Sequence, residues 1–187
     1  MAKTESIRAM LHEGRGRIAV GRVEEVAALV LARPKTFSRL MVCLWDEDAG
    51  TANRAAHALE LVIRAGQPGS MAQLNAWKTS LLGLLPEAEE NKLRWHLALI
   101  LPRLTLTRAE CARAAAALTS WLEGNRSSIV KTMCLQGLAD LTRQDAALLP
   151  MVVDLLRLHG RSGTPAMRAR GRLLLARLEK TADKEPR

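Results

Sequence analysis

Four histidines, His12, His57, His96 and His159, are the side chains best suited to proton transfer or metal binding, and their placement argues against both. No two lie within a helical turn of each other. His12 and Glu13 form the single neighbouring His-Glu pair. Three cysteines, Cys43, Cys111 and Cys134, are far apart, with no Cys-x-x-Cys spacing that would grip zinc. On helix stripes and in a reducing compartment, they read as small buried hydrophobes. A glycine-rich phosphate loop, a nucleophile elbow and zinc-ligand spacing are all missing. No catalytic residue, metal site or cofactor is expected.

The arginines offer more. Arg161, Arg168, Arg170, Arg172 and Arg177 crowd the C-terminal end. At about 100° per residue, a helix starting at Pro165 puts Arg168 and Arg172 on one face, with Arg161 near them. Arg170 and Arg177 then share a second face, about 20° apart. Forked guanidinium groups suit phosphate and carboxylate, which makes this set a candidate partner-binding or phosphate-binding site. The net charge is +9, and its distribution is uneven. Residues 1–39 carry +4, residues 40–156 carry −1 and residues 157–187 carry +6. Attraction to nucleic acid or an acidic partner is therefore concentrated at the ends.

These side chains must be positioned by helices. Of 187 residues 48% are apolar and only 3% aromatic, with no Tyr, one Phe and four Trp. Leucine and alanine dominate, a mixture that favours helix over strand. No signal peptide or membrane span is visible, so a soluble, cytoplasmic protein is expected. Spacing predicts a short helix at 3–13, a turn at Gly14, Arg15, Gly16 and Arg17, and a helix from Gly21 to Ala32 ended by Pro34. Helices follow at 35–45, 51–65, 70–86, 87–104, 107–124, 127–142, 145–158 and 165–180, with a frayed tail at 181–187. Ser70 is a plausible cap, and Thr107 with Glu110 carries a capping-box signature. Pro102 should stop or kink its helix, and Pro150 is tolerable only in a first turn. Gly160, Arg161, Ser162 and Gly163 read as a loop.

One template recurs along the chain. Lys131, Cys134, Gly137, Leu138 and Leu141 set a basic residue ahead of small and apolar residues at steps of three and four. The same spacing fits Ala52, Ala55, Ala58, Leu59 and Val62; Lys92, Trp95, Ala98, Leu99 and Pro102; and Arg168, Gly171, Leu174, Leu175 and Leu178. The anchors Leu59, Leu99, Leu138 and Leu175 are separated by 40, 39 and 37 residues. That period lies at or just under the one that marks stacked helical pairs. With turn residues Asp48, Glu89 and Asn125, the chain resembles a repeat protein of the HEAT or armadillo kind. Ala52 and Pro102 depart from the pattern.

The resemblance implies an all-α superhelix, a HEAT-like solenoid of four to five helical pairs. It would form a single domain over 1–187, with N-terminal helices at 3–33 and repeats at 35–65, 70–104, 107–142 and 147–179. Such a fold implies a non-catalytic scaffold whose second helices line a concave surface for a protein partner, with Arg54, Lys92 and Lys131 as candidate contacts. Nucleic acid, held through the basic termini, is the second class of partner. Some HEAT-like proteins are DNA glycosylases for alkylated bases, needing an aspartate beside aromatic rings. Trp45 with Asp46 and Asp48 is where those ingredients meet. Yet Trp45 also closes an apolar stripe, as a core residue would, and the acids suit a turn. A third class, an assistant to a cofactor-attachment or lyase enzyme, has no residue signature here. The C-terminal arginines equally suit the polar outer face that a terminal repeat needs.

Overall fold

The computed structural model describes residues 6–13 and 21–182. The turn expected at Gly14 to Arg17, the start of the expected first helix and residues 183–187 of the expected tail lie outside them. Among the described residues the fold is all-α, 81% helical and without strands. Contacts divide the chain at 81/82 into two compact units.

The first unit contains α1 (Ile7–His12), α2 (Val23–Ala32), α3 (Phe37–Val42), α4 (Ala49–Arg64) and α5 (Pro68–Ala76). The boundary itself falls inside α6 (Lys78–Gly83). At the centre of this unit α4 packs against α1, α2, α3 and α5. Its buried stripe is built from Ala52, Ala55, Ala56, Ala58, Leu59 and Val62. Small side chains let several neighbours approach one helix, while Leu59 and Val62 supply the apolar area, each worth about 1.5–3 kcal/mol when fully buried. Asp48 starts the helix: its carboxylate accepts from the Thr51 amide and hydroxyl, both at 2.7 Å.

In the second unit α7 (Asn91–Ile100), α8 (Arg108–Gly124), α9 (Ser128–Leu141), α10 (Leu149–Ser162) and α11 (Pro165–Ala182) follow in order. Here α9 is central, packing on α7, α8, α10 and α11, while α10 also packs on α11. Gly137 makes the closest approach. A Cβ there would lie 2.3 Å from the Ala98 carbonyl oxygen and 2.9 Å from Leu118 Cδ1. Only a hydrogen fits, so α9 can sit against the α7 backbone. Gly171 does the same for α11, where a Cβ would meet the Leu156 carbonyl oxygen at 3.2 Å.

Most helix ends follow local chemistry. Thr107 and Glu110 form a complete capping box on α8, Ser127 caps α9, and Pro150 and Pro165 fall in first turns. Pro102 cuts α7 short at Ile100, and Leu101–Arg103 continues as a 3-10 turn. Several expectations fail. The helix expected at 70–86 is two, α5 and α6, broken at Trp77, and Ser70 is buried inside α5 instead of capping it, since Pro68 starts that helix earlier. Likewise Gly160, Arg161 and Ser162 continue α10, and the chain turns only at Gly163. Of the four anchor leucines, Leu59 and Leu138 are fully buried but Leu99 and Leu175 only partly. The first two lie on the central helices, which are covered from several sides.

Candidate functional site

The C-terminal arginines are built largely into the second unit. Arg170 Nη1 donates to Gln136 Oε1 at 2.8 Å, Gln136 Nε2 to Asp140 Oδ2 at 2.7 Å, and Arg177 Nη2 to Asp140 Oδ1 at 2.9 Å. A polar ladder thus runs along the seam between α9 and α11. Positions 170, 173 and 177 lie on one helical stripe, and Leu173 is 64% exposed between the two arginines. Arg168 reaches back to the Gly163 carbonyl oxygen at 2.9 Å, in the turn ahead of its own helix. Arg161 and Arg172 are exposed. Five residues proposed as one cluster therefore divide into three that brace α11 and two that face solvent.

At two of the template's basic positions, Lys131 and Arg168, the side chain has a structural use that the template did not reveal. Lys131 Nζ donates to the Glu123 carbonyl oxygen at 3.4 Å, at the C-terminal end of α8, as Arg168 does at the end of α10. Cations there complement the negative end of the preceding helix. Lys92 is half-buried in the first turn of α7. Arg54 is a correction: expected on a concave surface, it is 6% exposed. Its Nε donates to the Leu11 carbonyl oxygen and its Nη2 lies 3.6 Å from Asp48 Oδ2. An alanine-rich helix leaves space for a long side chain to run inward, and the charge is met by an α1 carbonyl and the α4 capping carboxylate.

Trp45 is also corrected. It is 38% exposed, and its ring centroid lies 6.2 Å from that of Trp77. It falls in a 3-10 turn, Cys43–Trp45, where helical spacing no longer sets direction. With Ile7, Arg8, Val42 and Asp46 it lines an open groove of about 620 Å³. The neighbouring acids are occupied. Asp46 accepts from Arg8 Nε at 2.5 Å and Nη2 at 3.0 Å, which holds its carboxyl below the ordinary carboxylate range. Asp48 is likewise held down by the Thr51 hydroxyl and amide. A base-excision aspartate would face its substrate, whereas these two tie α1 and α4 together.

Among the described residues no three His, Cys, Asp or Glu stand close enough to hold a metal ion, and no helix is long and apolar enough to cross a membrane. His96 is buried edge-on to Trp95, with ring centroids 5.0 Å apart. His159 is pushed below its ordinary value by burial and then by Lys131. All three cysteines are buried and free, and burial raises the Cys134 thiol to about 12, far from any reactive thiolate.

The spacing missed a pocket of about 550 Å³ in the second unit, lined by Leu85, Pro86, Arg94, Arg113, Trp121 and Asn125 among others. The Arg94 guanidinium carbon stands 5.5 Å from the centroid of the Trp121 ring. In sequence Trp121 stands at helical spacing from Ala114 and Leu118, a stripe of α8 that reads as core. The helix positions of Arg94 and Arg113 gave no sign that the two line one pocket.

Over the described residues, the class that the fold defines is an all-helical protein of about 11 helices. No family model, curated protein or solved structure matches the chain.

Proposed function

We propose that the chain is a non-catalytic helical-repeat scaffold of the HEAT or armadillo kind that binds a protein partner on the face of its second helices. One observation supports the repeat assignment: side-chain bonds between distant residues cluster around one period, within limits of 31 residues for Arg113 to Leu82 and 43 for Arg54 to Leu11. In the first unit Arg8 to Asp46 spans 38 residues, His12 to Thr51 spans 39 and Gln73 to Pro34 spans 39. In the second, Leu106 to Gln144 spans 38, Asn125 to Asn91 spans 34 and Arg177 to Asp140 spans 37. Bonds at this spacing are what a helical pair makes with the next pair in a stack, and the contact of Gly137 with Ala98, 39 positions earlier, has the same span.

The binding face is the seam of α9 and α11, where exposed Leu173 sits between the two ends of a fixed polar ladder. An apolar anchor with polar rims is the common form of a protein interface. Nucleic acid is the weaker candidate, because Arg168, Arg170 and Arg177 already serve internal acceptors, leaving Arg161 and Arg172 to meet phosphate.

Cross-linking and affinity capture from a native extract test the scaffold role. A defined protein should be retained by the wild-type chain and lost with Leu173→Glu, whose helical signal and melting temperature should stay unchanged. Capture unaffected by Leu173→Glu rules out the α9–α11 face. Salt-sensitive retention of nucleic acid without a protein would shift the assignment to the second candidate.

A further inference from the structure

The pocket beside α7 and α8 has the composition of a ligand site, and nothing in the scaffold role uses it. Its two guanidinium groups are each anchored on a backbone carbonyl. Arg94 Nε donates to the Ala88 oxygen at 2.5 Å, and Arg113 Nη2 donates to the Leu82 oxygen at 3.0 Å. The Leu82 oxygen lies in α6 and the Ala88 oxygen in the segment between α6 and α7, so the chain leading into α7 fixes both forks. Each guanidinium carries five N–H groups, and one bond apiece leaves several for a ligand.

Charge balance points the same way. Among the described residues neither arginine has a carboxylate partner. Glu110, one turn before Arg113, accepts from the Thr107 amide at 2.8 Å in the capping box. Two cations on one cavity wall with no neutralising acid concentrate positive potential there. Apart from the Ser120 hydroxyl, the remaining lining side chains are apolar or already bonded. Leu85, Pro86 and the Trp121 ring offer hydrocarbon, while Asn125 Nδ2 donates to Asn91 Oδ1 at 2.9 Å. A volume of about 550 Å³ is within the range of small-molecule sites.

We propose that this pocket binds an oxyanion, carboxylate or phosphate, carried on a small apolar body. The oxygens take the remaining N–H groups of Arg94 and Arg113, and the body lies against Trp121, Leu85 and Pro86. Anchored forks lose little freedom on binding, and charge-assisted bonds to planar oxyanions are stronger than neutral ones. Partner capture through Leu173 is a separate matter, and either can fail alone.

The test titrates phenylacetate, phenyl phosphate and uncharged phenylacetamide into the full chain at low salt, following the arginine Nε–H and tryptophan indole N–H resonances by NMR. At least one anion should give saturable shifts at Arg94, Arg113 and Trp121, and should bind about tenfold or more tightly than the amide. Preference for phenylacetate over phenyl phosphate, or the reverse, distinguishes a carboxylate ligand from a phosphate ester. Arg113→Gln should weaken the preferred anion about tenfold, and Arg113→Lys, which keeps the charge but not the fork, should weaken it as well. Equal binding of the amide, shifts that never saturate, or affinity unchanged in both variants would overturn the site.

Discussion

Gly137 and Gly160 show how differently one residue type can be used. Both lie inside helices, α9 and α10, but a Cβ at Gly137 would collide with the Ala98 carbonyl oxygen, whereas one at Gly160 meets nothing within 4 Å. Gly137→Ala should therefore cost about 1–3 kcal/mol, because a backbone oxygen cannot swing aside. Gly160→Ala should stabilise by about 0.4–1 kcal/mol through helix propensity and a less disordered unfolded chain. Paired urea melts of the two variants check the opposite signs. Asp46 supplies a pH test. Its folded carboxyl lies below the unfolded value, so the stabilisation it gives is complete above the ordinary carboxylate range and fades as pH falls through the folded value. The stability difference between wild type and Asp46→Asn should be largest near neutrality and shrink below about pH 4. Gly137 was legible as a small stripe residue, but that it faces a carbonyl was not. Arg54 misled because an arginine near the start of a helix ordinarily points to solvent.

At the level of elements, the caps and prolines were the most readable features, since each acts within a few residues. Thr107, Pro102, Pro150 and Pro165 all do what their local chemistry dictates, whereas Ser70 loses the capping place to a helix that Pro68 starts earlier. Thr107→Ala should remove about 1 kcal/mol and selectively speed amide exchange in the first turn of α8. The break at Trp77 left no trace, because no glycine or proline marks it. The extension of α10 through Gly160 was hidden for the opposite reason, a glycine taken for a stop. The ladder of Arg170, Gln136, Asp140 and Arg177 joins two helices that sequence spacing treats separately. A double-mutant cycle on Arg177 and Asp140 should give a coupling of about 0.5–1 kcal/mol, reduced by salt.

For the whole molecule, the charge of +9 is a poor guide until the arginines are sorted by what they touch. Any residual attraction to DNA should fall steeply with salt, and Arg161→Ala with Arg172→Ala should reduce it without moving the melting temperature. Arg170→Ala with Arg177→Ala should do the reverse, lowering the melting temperature more than DNA affinity. A gel shift and a thermal melt on the two double variants separate those outcomes. The all-α class was legible because alanine and leucine dominate a chain poor in aromatic residues, a mixture that favours helix over strand. The Arg94 and Arg113 pocket was not, since it exists only once α7, α8 and the chain around Leu82 and Ala88 come together.

The span of the bonds also bears on how the protein is made. In the second unit α9 needs α7 and α8, both of which leave the ribosome before it, and α11 needs α9 and α10. The Arg177 partner, Asp140, was synthesised only 37 residues earlier. After α7, only α8 departs from that order, since its main neighbour α9 follows it, yet the two are consecutive helices, so little oily surface has to wait for a distant partner to be translated.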